Sequence, residues 1–179
     1  MLRVLAALVA VLLVLTGCSL QSQATGQTTG QSAGQATGLG RRIKTSGCRV
    51  DGALPDPACT PGAIIASATK AQICQSGYAR NVRDVPDSEK NQVYAEYGVT
   101  HHTTGEYEVD HLVSLELGGS NDVANHWPEA SSPKPGFHEK DQVENYLHDQ
   151  VCAGKIGLAQ AQHDIATNWL AIYRQMPQR

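Results

Sequence analysis

Between Glu106 and Cys152 the chain changes its hydrophobic period, and that order constrains the fold more than any other feature. Glu106 to Leu112 sets Tyr107 and Val109 against Glu106 and Glu108, the two-residue alternation of a half-buried strand. Gly118-Gly119-Ser120-Asn121-Asp122 is a turn cluster whose glycines can take positive φ. Asn125 to Trp127 reads as a second short strand that stops at Pro128, and Ser131 to Gly136 is loop by composition. His138 or Glu139 then opens a helix to about Cys152, with Val143, Tyr146, Leu147 and Val151 on one face and Ala153-Gly154 as its end. Strand, turn, strand, helix predicts an α+β fold.

Helices are expected on both sides of this unit. Ser88 offers an N-cap for a helix from Glu89 to Tyr97, stopped by Gly98. Leu158 to Tyr173 is amphipathic through Ala161, Ile165, Trp169 and Ile172. Trp127 and Trp169 read as core aromatics. No repeat of longer period is present.

The N-terminal third has a different character. Met1-Leu2-Arg3 gives a positive start, and Val4 to Leu15 is an unbroken run of twelve Val, Leu and Ala residues. Such a run is short of the ~20 residues needed to span a bilayer, and fits the apolar core of a secretory signal over residues 1–17. Leu15-Thr16-Gly17-Cys18 resembles a bacterial lipobox, which implies lipid attachment at Cys18, contact with the membrane through that lipid, and an extracytoplasmic, membrane-anchored location. Gln21 to Gly40 holds only Gln, Ser, Ala, Thr, Gly and one Leu, too little apolar surface to offset the entropy of ordering. Residues 18–45 are therefore expected to be a flexible tether, with Arg41 to Lys44 as its solvated end, and 46–179 the folded domain.

Four cysteines remain in that domain: Cys48, Cys59, Cys74 and Cys152. An even count in an exported chain, with no Cys-x-x-Cys spacing, favours two disulfides over metal ligation. Of three connectivities, Cys48–Cys59 with Cys74–Cys152 is preferred, since the first would close the Pro-containing loop at Asp51 to Pro57. The net charge of −3 argues against affinity built on a broad basic surface. Residues 101–150 hold ten Asp and Glu against Lys134 and Lys140, and six of the seven histidines.

Asp110-His111, Gly118-Gly119, Asn125 and His138 together resemble the motif of HNH endonucleases, the ββα-metal superfamily. Lys140-Asp141 and the pieces Val151 to Gly154 and Ala161 to Trp169 resemble a group of secreted bacterial members. The resemblance runs from about Cys48 to the end of the chain. It implies a ββα-metal core with flanking helices, braced here by disulfides in place of the zinc knuckles that many members carry. It also implies a metal-dependent endonuclease acting on DNA, with RNA as an alternative substrate, at low sequence specificity. One divalent ion is implied, Mg²⁺ or Mn²⁺ before Zn²⁺ or Ni²⁺, and nothing in the sequence calls for an obligate protein partner.

The chemistry explains the residue types. An attacking water must lose its proton, and imidazole is suited to that task, so His111 is the expected base. Asp110 supplies a hard oxygen ligand and His138 a nitrogen ligand from the helix start, both expected at a solvent-open site. By the resemblance, Asn125 bonds main chain across the turn and steadies the His111 carbonyl. Glu108 shares the Asp110 side as a candidate supporting carboxylate. His126 reads as a strand residue rather than a ligand, and the neighbouring His101 and His102 as pointing opposite ways. Two other classes stay open: a catalytically silent ββα-metal module that binds a nucleic-acid or cell-surface partner, and a metal-dependent hydrolase of another substrate.

Overall fold

The computed structural model describes residues 39–177, so the expected signal, Cys18 and most of the expected tether lie outside the described residues. Two short helices come first, α1 (Lys70–Ile73) and α2 (Tyr78–Val82), followed by α3 (Asp87–Glu96). An antiparallel pair, β1 (Tyr107–His111) and β2 (His126–Ala130), leads into α4 (Phe137–Cys152) and α5 (Leu158–Gln175). The architecture is a small α+β fold with a two-stranded sheet and two disulfides, Cys48–Cys59 and Cys74–Cys152. Both disulfides join the cysteines that the sequence preferred.

The register sets Asp110 opposite Trp127, His111 opposite His126, and Glu108 opposite Glu129. Because side chains alternate along a strand, Glu108, Asp110, Trp127 and Glu129 share one face while His111 and His126 share the other. The two strands are joined through a turn that only glycine permits. Gly118 has φ +74°, and a Cβ on Gly119 would lie 1.8 Å from the Val113 carbonyl oxygen.

Helix α4 packs on β1 and on α5. Trp127, Val143, Leu147, Val151, Ile165 and Trp169 are all buried in the common core. Trp169 also donates its indole N–H to the Ala53 carbonyl at 3.2 Å. At the N-terminus of α4, the Glu139 carboxylate accepts the Gly136 N–H at 2.9 Å, satisfying one of the donors a helix start leaves over.

Several features differ from expectation. Strand β2 runs through Pro128 to Ala130, because both strands of a two-stranded sheet are edges and an edge has an open side that needs no N–H. Helix α3 opens at Asp87, with Pro86 in the cap position instead of Ser88. The short α1 and α2 carry too few turns for a periodic signal. Arg41 to Lys44, read as the solvated end of a tether, is instead fixed to the domain. Ile43 and Lys44 donate their N–H groups to the Ala58 carbonyl, Arg42 pairs with Glu96, and Lys44 pairs with Asp56 at 2.9 Å.

Candidate functional site

Asn125 is fully buried and uses both ends of its amide. Its Oδ1 accepts from Val113 N at 2.9 Å and from Ala63 N at 3.3 Å. Its Nδ2 donates to the carbonyls of Val113 at 3.0 Å and Ser120 at 2.9 Å. One side chain thus ties the exit of β1 to the approach of β2 and to the Ala63 segment. The residue it steadies is Val113, two places beyond His111. The His111 carbonyl is held from elsewhere, by the Lys140 ammonium at 2.7 Å.

Lys140 is the hub of the other face. It is fully buried, it donates to Asp110 Oδ2 at 2.8 Å and to Glu144, and it lies 5.2 Å from the centroid of the Trp127 ring. Burial alone would push the ammonium down, but Asp110, Glu144 and Glu129 hold it charged, above its usual range. Burial is the strongest influence on Asp110 and raises it, but the Lys140 charge, hydrogen bonds from Glu129 and Lys140, and the His111 ring together outweigh it, so Asp110 stays ionised, below the ordinary carboxylate range. Burial raises Glu144, although Lys140 and a 2.7 Å bond from Ser114 Oγ oppose the rise. Glu129 is pushed well up by burial, and its hydrogen bond to the Asp110 carboxylate raises it further, as a protonated carboxyl that donates to its neighbour.

Asp110 is therefore buried and paired, where an exposed ligand was expected. Outward from it stand two exposed carboxylates, Glu108 on β1 and Asp141 on α4. Each is raised first by desolvation and then by repulsion from its acidic neighbours, Asp110 among them. The positive charge of Arg83, at the end of α2, acts on both. His138 is exposed on the first turn of α4, and its charge acts on Asp141.

On the opposite face, His111 is 1% exposed and its ring meets that of His126 edge to face, with centroids 4.3 Å apart. The Asn121 amide donates to the Val82 carbonyl at 2.7 Å, which turns its Oδ1 to accept from His111 Nε2 at 3.1 Å. An imidazole that donates from Nε2 has a bare lone pair at Nδ1, and this Nδ1 is buried with no partner among the described residues. Burial, then His126, push the His111 pKa down to about 3, so the ring is neutral. His126 in turn donates from Nδ1 to Glu89 at 2.6 Å.

The structure brings Asp110 to Lys140 and His111 to Asn121, but it does not gather Asp110, His111 and His138 into one ligand set. Among the described residues the only three or more Cys, His, Asp or Glu side chains whose ligand atoms converge within 4.8 Å are Cys74, His148 and Cys152. His101 and His102 are exposed, and His102 stacks on Tyr94 at 4.2 Å. Sequence reasoning missed the part of Asn121, hidden in a turn cluster, and of Glu144, whose spacing from Lys140 imitates a surface helix pair. As to donor type, Glu108, Asp110 and Asp141 are hard oxygen ligands and fit a cation of the Mg²⁺ class, with His138 beside Asp141 able to add a nitrogen.

Compared with known proteins, the chain matches no family model, no curated protein and no solved structure.

Proposed function

We propose that this protein is a metal-dependent endonuclease of the HNH type, which hydrolyses phosphodiester bonds of DNA, and of RNA as an alternative, outside the cytoplasm. The observation that carries this reading is the neutral His111, held by Asn121 through Nε2 and left with an unpartnered lone pair at Nδ1. A base for water needs such a lone pair, held in one tautomer by a partner on the other nitrogen. Two further features support it. The chain order β1, glycine turn, β2, α4 fits a ββα core, and Asn125 braces main chain across the turn as the motif requires.

In this mechanism His111 Nδ1 takes the proton of the attacking water, which requires the ring, 1% exposed in this fold, to be opened to that water. Asp110 and His138 would hold the divalent ion, with Glu108 and Asp141 nearby; these ligand atoms do not converge within 4.8 Å, so holding it requires them to draw together. When bound, the ion stabilises the charge that builds on the phosphoryl and leaving oxygens. Arg83 is placed to attract a phosphate to an otherwise acidic edge, and Lys140 keeps Asp110 ionised from beneath.

A second reading has an observation of its own. Lys140 already neutralises Asp110 and His111 is closed from solvent, an arrangement that also suits a silent module of the same fold binding a nucleic-acid or cell-surface partner. Purified protein incubated with plasmid DNA across Mg²⁺, Mn²⁺, Zn²⁺ and Ni²⁺, with and without chelator, separates the two. Chelator-sensitive cleavage is expected, and His111→Ala should lower its rate by roughly 10²–10⁴-fold, the usual worth of acid–base catalysis. No cleavage under any metal would refute the nuclease and leave the silent module or a hydrolase of another substrate. The location follows from lipid attachment at Cys18, so Cys18→Ser should release the protein from the membrane fraction. Undiminished membrane retention would refute the anchor.

A further inference from the structure

We propose that the Cys74–Cys152 disulfide is one of two states of a staple, and that on reduction the same sulfurs form, with His148 Nε2, a site for a divalent cation of the zinc class. Cys74 closes the C-terminus of α1, while His148 and Cys152 stand four residues apart, on one side of α4. The three ligand atoms already lie within 4.8 Å of one another, and His148 Nε2 is 3.5 Å from Cys152 Sγ. A tetrahedral zinc with bonds of ~2.3 Å to sulfur and ~2.0 Å to nitrogen sets its S···N separation at roughly 3.5 Å and its S···S separation at roughly 3.8 Å. The separation of His148 from Cys152 thus already fits, while the two sulfurs must part and the imidazole must turn its Nε2 from the Ile73 carbonyl toward them. His148 and Cys152 are half-buried and Cys74 is the most open of the three, which leaves the fourth position to water. His138 and His148 are ten residues apart on one helix, about 15 Å, so this site is separate from the proposed catalytic one.

The exchange balances. A protein dithiol or small thiol gives two electrons and two protons to the disulfide, becoming a disulfide itself, and Cys74 and Cys152 become thiols. Binding of the cation releases those two thiol protons to solvent. His148 Nε2–H now donates to the Ile73 carbonyl at 3.1 Å. In the loaded site that proton sits on Nδ1, and the Nε2 lone pair faces the metal. The cation then keeps the end of α1 tied to the end of α4 when the covalent bond is open.

The test uses the full chain, reduced with a phosphine and transferred without oxygen into Co²⁺, then Zn²⁺. One Co²⁺ per reduced chain is expected, with a thiolate-to-cobalt charge-transfer absorption that Zn²⁺ displaces, and no such absorption from the oxidised chain. His148→Ala should weaken Co²⁺ binding about ten-fold or more. In the reduced parent, Zn²⁺ should protect Cys74 and Cys152 from alkylation while Cys48 and Cys59 react. No absorption in the reduced parent, affinity unchanged in His148→Ala, or protection of Cys48 and Cys59 instead would each overturn the proposal.

Discussion

His111 keeps its imidazole where solvent does not reach, and that placement has a consequence for stability that does not depend on any activity. In the unfolded chain the ring takes a proton near its ordinary value of 6.5, whereas in the fold it resists protonation down to about 3. The unfolded state therefore binds more protons between these values. The stabilising contribution is complete above about pH 6.5 and is lost as pH falls toward 3. Integrated to pH 4, the loss is on the order of 3 kcal/mol, an upper figure. Urea unfolding of the parent and of His111→Gln at pH 7 and pH 4 should show the parent losing more between the two. Equal losses would mean that His111 is not held neutral. At this scale the sequence was readable by type and not by setting. Asp110, His111 and Asn125 announce themselves by order and spacing, and Asn125 indeed braces the turn. Nothing in one dimension tells that Asp110 is sealed by an ammonium, since burial depends on what α4 lays over it.

Helix α4 shows how an element can be predicted while its main bond is missed. Its apolar spacing gave the helix and its end at Ala153-Gly154. Lys140 with Glu144 four residues on looks like a solvated pair, worth a few tenths of a kcal/mol. In the fold that lysine passes beneath the sheet and joins α4 to β1 through Asp110 and the His111 carbonyl. Removing one partner of a buried ion pair leaves the other uncompensated, at a cost of about 3–5 kcal/mol. Lys140→Met, which keeps the chain length against Trp127, should therefore lower unfolding stability by about that amount. Adding Asp110→Asn should recover part of it, because the stranded charge is then gone, and the non-additivity of the double variant measures the pair. A Lys140→Met protein as stable as its parent would show that the network does not anchor the helix. The boundaries of β2 and α3 lay beyond a local reading for a related reason. Whether Pro128 ends a strand depends on how many neighbours that strand has.

Over the whole molecule, the stabilising devices divide between a modest core and two covalent closures of very unequal length. Cys48–Cys59 spans 11 residues and Cys74–Cys152 spans 78. If a disulfide acts mainly by restricting the unfolded chain, the shorter closure contributes about 3 kcal/mol and the longer about 4–5 kcal/mol. The longer one also encloses α2, α3, the sheet and nearly all of α4, so its loss releases every element that positions Asp110, His111 and Asn125. Cys74→Ala/Cys152→Ala should accordingly be less stable than Cys48→Ala/Cys59→Ala, by roughly 1–2 kcal/mol in urea unfolding without added metal. The variants replace both cysteines, so no free thiol confuses the comparison, and the slope of the transition should rise as the unfolded chain expands. The opposite ranking would place the stabilising effect in the folded state near Cys48. The paired Arg42 and Lys44 on that side, which bond Cys59, Glu96 and Asp56, would then be the residues to remove next.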